Sequence, residues 1–426
     1  MLFIKSTFIP NKIETDSEIY GVKEDIIRDA LMKLFNNGSI LITGVRGIGK
    51  SSMQYQLQQT LNGETKDILD KCNLTIKIPK YFTFAYECLR GDDLGNIFYS
   101  ILQQMVDCLD CGTSIKISET KIGIALGVLN IELTGEKVTA NRYQTLINTF
   151  IDGVMGFFDM YENPYINIAI DEIDQLNENC GIAHGIKIIL ETLSRYNIDS
   201  LSFILAGQNG TLETLLSQQP SFNRIVKHFQ LKALDEEIAR TVFISCINKL
   251  EGNIQIENKG LDILVKAASG YPYLIHLLGE ESLNIMLQQY EQADIHNTLI
   301  ITQDDCVKGV FNVLKNNVMR YRYLWLSLSS NEQNLLQVLT TNDGGTFYDN
   351  IKTQAMLWEE DDIVNAYIET YPDAGQDTVH ETLKKLYDNQ ILEYEPSEYE
   401  NNLINCYFFC EEMFRIYLTL GESYFK

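Results

Sequence analysis

Positive charge is what this 426-residue sequence most lacks: 34 Lys and Arg stand against 58 Asp and Glu, a net charge of −24. A field of that sign repels polyanions within a Debye length. A broad nucleic-acid-binding surface is therefore disfavoured, although a local basic patch can persist inside such a field. Long apolar runs are missing too. No stretch reaches the ~18 residues that a membrane-spanning helix needs. The opening Met1-Leu2-Phe3-Ile4-Lys5 is too short an apolar segment for a secretory signal and lacks a cleavage-type tail. A cytoplasmic chain with no membrane partner is expected. Nine cysteines, an odd number scattered along the sequence, exclude a disulfide framework. Cys108-x-x-Cys111 and Cys406-x-x-x-Cys410 are local pairs, but neither sits in a knuckle-like setting for zinc, and buried free thiols are expected instead. Internal repeats, low-complexity tracts and nuclease or protease motifs are absent as well.

What is present is ordinary globular composition, 45% apolar and 22% charged. The length suits two to three domains at about 150 residues each. After an N-terminal segment over residues 1–19, the pattern alternates strand and helix. Glu24–Phe35 puts Ile26, Ile27, Ala30, Leu31 and Leu34 on one helical face, and Asn36-Asn37-Gly38 ends it. Three apolar runs of strand length follow: Ser39–Thr43, Ile166–Ile170 and Leu201–Ala206. Near-continuous apolar strands separated by helices imply a parallel sheet covered on both faces, an α/β fold.

The first of these strands runs into Gly44-Val45-Arg46-Gly47-Ile48-Gly49-Lys50-Ser51, which fits G-x-x-x-x-G-K-[ST]. Glycines let the backbone wrap until successive N–H groups face a phosphate, and the next helix points its positive end at the same anion. Lys50 is placed for the β- and γ-phosphates and Ser51 for Mg²⁺, with Ser52 beside them in the first turn. The strand Ile166–Ile170 then delivers Asp171 and Glu172. Asp171 is the expected partner of the metal shell, and Glu172 the residue that orients or deprotonates an attacking water. ATP and Mg²⁺ are the ligands this pairing implies, and ATP hydrolysis the reaction. A bare Asp-Glu-Ile-Asp would otherwise read as a helix cap.

Lys50 and Asp171 are 121 positions apart, whereas two strand–helix–strand steps need only about 60. An insertion near 111–135 is expected. Within Ser114–Leu133, Ile115/Ile117 and Ile122/Ile124/Leu126/Val128 alternate in strand fashion, which predicts a β-hairpin. From Leu234 the chain becomes helical, with Asp235 as an N-cap and Glu236 and Glu237 in the first turn.

These pieces in this order resemble the AAA+ ATPases, in particular the initiator-like and STAND-like branch that includes origin-recognition proteins. The similarity covers about residues 18–318. It is carried by Tyr20-Gly21-Val22-Lys23-Glu24, by the phosphate loop, by Asp171-Glu172, and by Leu205-Ala206-Gly207-Gln208 with Phe222-Asn223-Arg224. The resemblance implies a P-loop core over 20–232, a helical lid over 233–318 and a base-contacting box at Tyr20 and Val22. It implies that Gln208, or its neighbour Asn209, senses the γ-phosphate. It also matches Arg224 to a finger acting on a neighbouring subunit's nucleotide in a homo-oligomer, the plainer alternative being a surface ion pair. Gly270-Tyr271-Pro272-Tyr273 departs from the family's lid motif, with tyrosine where many relatives carry arginine; His276 is a substitute only if it is not a core residue.

The remaining 319–426 resembles a winged helix, with Asp377–Asp388 as the recognition-type helix and strands at Ile391–Tyr394 and Asn405–Phe409. Lys384-Lys385 could grip phosphates. Yet from Arg320 onward the chain has 7 Lys and Arg against 19 Asp and Glu, the wrong sign for binding by counterion release. A protein partner or an autoinhibitory contact is therefore favoured over duplex DNA. The expected function is an ATP-driven regulatory switch that controls self-assembly and partner engagement. The alternatives are a DNA-binding initiator or loader and a STAND-like signalling ATPase of a defence system.

Overall fold

The computed structural model describes residues 5–421 apart from 11, 17–20, 22–23, 66, 77, 111–119, 135–141, 162–163, 178–179, 252, 290–297, 342–357 and 400–401. Tyr20, Val22, Cys111 and the 111–119 and 135 portions of the expected insertion lie outside the described residues. The chain divides into two compact units, Ile13–Lys232 and Ala233–Lys426, the latter joined by the N-terminal residues up to Lys12.

Unit Ile13–Lys232 runs α1 (Glu24–Phe35), β1 (Ser39–Thr43), α2 (Lys50–Leu61), α3 (Asp67–Lys71), β2 (Tyr81–Glu87), α4 (Leu94–Asp110), α5 (Lys121–Thr134), α6 (Arg142–Met160), β3 (Tyr165–Asp171), α7 (Ile182–Arg195), β4 (Leu201–Gly207), α8 (Thr211–Gln218) and β5 (Val226–Gln230). The five strands form one parallel sheet in the order β2-β3-β4-β1-β5. Every residue of β1 and β4 is buried, as expected of central parallel strands covered by helices on both faces. Helix α2 is pinned to the sheet by two glutamines. Gln54 Nε2 donates to the Ile204 carbonyl at 3.1 Å, and Gln58 Nε2 to that of Phe84 at 3.2 Å.

The expected hairpin is overturned where it can be seen, because Lys121–Thr134 is helical. Ile122, Ala125 and Leu129 are buried, with Ile124 and Val128 facing outward. Positions i, i+3 and i+7 share one face of a helix, whereas a strand would bury alternate residues. Helix α6 accepts α5 at Gly156, where a Cβ would meet the Ile122 nitrogen at 2.8 Å; a Cβ on Gly153 would meet Leu102 Cδ1 of α4 at 2.7 Å. Backbones approach that closely only where the side chain is a hydrogen.

The second unit opens with four long helices, α9 (Glu236–Asn248), α10 (Asn258–Ala268), α11 (Pro272–Gln289) and α12 (Gln303–Asn316), with a parallel pair of short strands, β6 (Ile254–Ile256) and β7 (Leu299–Ile301), between them. Asp235 is the N-cap residue of α9, although its side chain accepts no capping hydrogen bond. Thr302 and Asp305 form a full capping box on α12. His276 is a core residue: its Nδ1 accepts the Ile9 N–H at 3.3 Å, and its ring lies edge-on to Phe8 at 6.3 Å. Burial depresses its pKa to about 4, so the ring is neutral and enclosed rather than a substitute lid cation.

Helix α13 (Val318–Ser327) leads to a winged helix. It consists of α14 (Ser330–Thr341), β8 (Trp358–Glu359), α15 (Glu360–Thr370), α16 (Gln376–Asp388), β9 (Leu392–Tyr399), β10 (Asn402–Phe409) and α17 (Glu412–Leu420), with an antiparallel sheet in the order β8-β10-β9. Buried Arg415 is held by Glu412 through two hydrogen bonds of 3.0 and 2.7 Å. The Glu412 N–H donates to Ser269 Oγ at 2.9 Å, tying α17 to the end of α10. Arg320 pairs with Glu411 at 2.8 Å. No described helix is long and apolar enough to cross a membrane.

Candidate nucleotide site

The site is built at one edge of the parallel sheet, where β1, β3 and β4 end together. Thr43 pairs with Gly207, and Ile170 with Leu205, so Gly44, Gln208 and Ile173 leave the sheet at about the same level. Strand β4 lies between the other two. At ~4.8 Å per neighbouring strand, β1 and β3 stand about 10 Å apart. That spacing leaves room for a phosphate and its counter-ion, and it sets the loop after β4 between the two walls.

The first wall is the loop Gly44–Gly49. Gly47 and Gly49 have φ of 84° and 99°, backbone that side-chain-bearing residues rarely adopt. Gly44 has no room for a side chain either: a Cβ there would lie 2.7 Å from Ile48 Cγ2 and 3.2 Å from the Leu231 carbonyl. Helix α2 starts at Lys50 with no side-chain cap. Its first helical bond runs from the Met53 N–H to the Gly49 carbonyl at 2.9 Å. The N–H groups of Lys50, Ser51 and Ser52 therefore have no acceptor within the helix, and they converge at its positive end.

Lys50 is buried, and its ammonium is folded back onto the loop, donating to the carbonyls of Gly44 at 3.0 Å and Val45 at 3.1 Å. Burial lowers its pKa, while Asp171, Glu172 and Asp174 pull the other way. Those three carboxylates thus lie within electrostatic reach of the ammonium. Arg46 is exposed on the loop and Val45 partly so; Ile48 is buried as a prop beneath it. Ser52 Oγ accepts the Glu14 N–H at 3.0 Å, so its hydroxyl holds the N-terminal segment against α2.

The second wall is the turn after β3. Glu172 sits at φ 54°, ψ 37°, a left-handed conformation uncommon for a residue with a side chain and costing of order 1–3 kcal/mol. Its N–H donates to Asp171 Oδ1 at 2.7 Å, and its carbonyl accepts the Gln175 N–H at 2.8 Å. Burial pushes the Glu172 carboxyl up. Asp174 and Asp171 push the same way, against a smaller opposite pull from Lys50 and Arg46. A carboxyl raised in this manner is a better proton acceptor than a free one.

Between the walls, the side chain of Gln208 is exposed while its N–H donates to Asp174 Oδ1 at 2.9 Å. The neighbouring Asn209 is half-buried, and its carboxamide oxygen is buried with no partner among the described residues. Sequence reading passed over Asp174 as part of a cap. The signal available was a third carboxylate three positions beyond Asp171.

Arg224 is not part of this cluster. It closes the 3₁₀ turn Pro220–Arg224, just before β5, whose Val226 pairs with Ser39 at the opposite end of β1. Five residues of strand, roughly 17 Å at ~3.3 Å each, separate that edge from Gly44. Arg224 is exposed, and no hydrogen bond or ion pair holds it among the described residues.

No protein-family model matches the chain, and no curated protein matches it in sequence. Solved structures do match in shape. The ORC2 protein of Aeropyrum pernix, in complexes with ADPNP and ADP, is 14% identical over 98% of this chain and 97% of its own, at a TM-score of 0.53. CDC6P of Pyrobaculum aerophilum is 12% identical over 98% and 99%, at 0.43. The RuvB Holliday junction branch migration motor of Thermotoga maritima is 13% identical over 90% of this chain and 92% of its own, at 0.36. The first of these spans both units, and its likeness joins the strand order and the glycine loop in one conclusion. The fold of this chain is thus the AAA+ fold, similar to that of this ORC2 protein, with a helical lid and a C-terminal winged helix after the P-loop unit.

Proposed function

We propose that this chain is an ATPase that acts as a nucleotide-driven switch, binding ATP at Gly44–Ser51 and hydrolysing it with Glu172. One observation carries the reading: the Lys50 ammonium, three carboxylates on the β3 turn and the loop after β4 converge at one sheet edge. Lys50 rests on two backbone carbonyls that an incoming phosphate can outcompete, since a charge-assisted bond to an anion is stronger than one to a neutral carbonyl. The free N–H groups of α2 take the remaining phosphate oxygens. Ser51 and Asp171 are the oxygen donors suited to Mg²⁺, which when bound neutralises charge on the phosphates. Glu172 holds a water by its carboxylate and takes its proton, a role that its raised pKa favours. Gln208 or Asn209 contacts the γ-phosphate from between the walls by donating a carboxamide N–H to it.

The module boundaries that go with this reading are a core at 20–232, a lid at 233–318 and the winged helix from 319. Arg224, on the sheet edge away from its own loop, serves a neighbouring copy in a homo-oligomer. The winged helix is acidic. Glu359, Asp361 and Asp362 are exposed where α15 opens, and the sequence of β9 holds no basic residue. A protein partner with basic residues suits that charge better than a DNA backbone does.

Lys50→Ala and Glu172→Gln test the core of the proposal together. Lys50→Ala should abolish ATP binding by calorimetry, whereas Glu172→Gln should bind ATP and hold it unhydrolysed. Normal phosphate release from Glu172→Gln would remove Glu172 from its assigned role.

A further inference from the structure

The loop after β4 and the turn after β3 are far apart in sequence, and they are joined by one side chain. Asp174 Oδ1 accepts the Gln208 N–H at 2.9 Å, and its Oδ2 accepts Gln175 Nε2 at 3.1 Å. The two turns are in contact around this bond. A Cβ on Gly207 would lie 2.6 Å from Thr211 Oγ1 and 3.1 Å from Ile173 Cγ1, so the backbone of the second turn is pressed against the first. Each turn is closed on itself as well: the Gln175 N–H donates to the Glu172 carbonyl at 2.8 Å, and the Thr211 N–H to that of Gln208 at 3.1 Å. Two rigid turns linked by one carboxylate move as a unit, and that unit carries Glu172 at one end and Gln208 with Asn209 at the other.

We propose that Asp174 is a positioning residue for turnover: its carboxylate tethers the loop bearing Gln208 and Asn209 to the turn bearing Glu172, so that the γ-phosphate contact and the water-activating carboxylate are held in fixed register. This rests on the ATPase reading above. It adds a residue that touches neither phosphate nor water. The tether gives Asp174 a structural role at a place where its charge adds to the negative field around Glu172. It also gives the nucleotide a route to the sheet: a phosphate gained or lost at Gln208 or Asn209 is felt at the Glu172 turn through one hydrogen bond.

Asp174 is exposed, so substitution there leaves the core intact. Asp174→Ala removes the acceptor, and Asp174→Asn keeps an oxygen in the same place for the Gln208 N–H. Two readouts are needed. Amide exchange of Gln208, measured without nucleotide, should quicken in Asp174→Ala and stay slow in Asp174→Asn. Steady-state hydrolysis should show kcat about tenfold lower in Asp174→Ala, the scale of one charge-assisted hydrogen bond. KM for ATP should change less than kcat, because the loop Gly44–Ser51 that binds most of the phosphate is not altered. Asp174→Asn should restore most of the lost kcat. Unchanged kcat in Asp174→Ala overturns the proposal. So does a Gln208 amide as protected in Asp174→Ala as in the unaltered chain, and so does an Asp174→Asn variant as slow as the alanine one. If the unaltered chain binds ATP but never hydrolyses it, the functional reading fails instead, and the amide-exchange comparison still reports whether the tether exists.

Discussion

Replacing His276 by Asn should flatten the acid sensitivity of the lid-and-winged-helix unit. His276 lies on α11, buried against Phe8, with its Nδ1 accepting the Ile9 N–H. Burial holds its pKa at about 4, against about 6.5 in an unfolded chain. A histidine whose folded pKa is depressed stays neutral in the native state while the unfolded state takes up a proton. Its contribution is thus fully present above pH 6.5 and is lost as the pH falls toward 4, where it levels off. The full span is about 2.5 pKa units, or roughly 3 kcal/mol at 1.36 kcal/mol per unit, and at pH 5 roughly 2 kcal/mol of that is gone. For a unit of about 200 residues this lowers the melting temperature by roughly 4–8 °C. Both tryptophans, Trp325 and Trp358, lie in the second unit, so their fluorescence reports its unfolding without interference from the P-loop unit. Asn at 276 presents an amide oxygen to the Ile9 N–H and cannot titrate. The unaltered chain should therefore lose about 4–8 °C more than His276→Asn between pH 7 and pH 5. Equal losses would refute the buried, neutral assignment and reopen a lid role for this side chain.

The phosphate loop and the strands around it were legible because each signal is local. A loop of spaced glycines ending in Lys50-Ser51 needs no partner to be recognised, and the apolar runs of Ser39–Thr43 and Leu201–Gly207 stand out because these strands are buried along their whole length, with both faces covered. The insertion misled for the opposite reason. Lys121–Thr134 carries apolar residues on almost every side, so its alternation says nothing about which of them are buried. Which of its faces is buried is set by the close approach that Gly156 on α6 allows at the Ile122 nitrogen, a property of the fold and not of the segment. Strands β6 and β7 are three residues each, too short for any period to register. Asp174 escaped because its partner is a backbone N–H 34 positions away. A donor that every residue but proline possesses leaves no mark in a sequence.

Two further substitutions probe the fold of the insertion and the reach of the site. Gly156→Ala puts a Cβ 2.8 Å from the Ile122 nitrogen, which is backbone and cannot swing away. A cost of about 1–3 kcal/mol is expected, seen as faster amide exchange in α5; unchanged protection there would contradict the α5–α6 packing. Arg224→Ala addresses assembly. If Arg224 serves a neighbouring subunit, its removal should cut turnover by about 10³-fold or more where the chain is assembled, and leave ATP binding intact. Dilution to the monomer should erase the difference, since the strand register puts Arg224 roughly 17 Å from its own loop edge. Mixing gives the sharper result. An Arg224→Ala subunit keeps its own Lys50 and Glu172, and a Glu172→Gln subunit keeps its arginine. Neither turns over alone, yet in a mixed assembly the second can place its Arg224 against the nucleotide of the first. Activity should therefore reappear on mixing. Its absence in assemblies shown to contain both variants would return Arg224 to the status of an exposed surface cation.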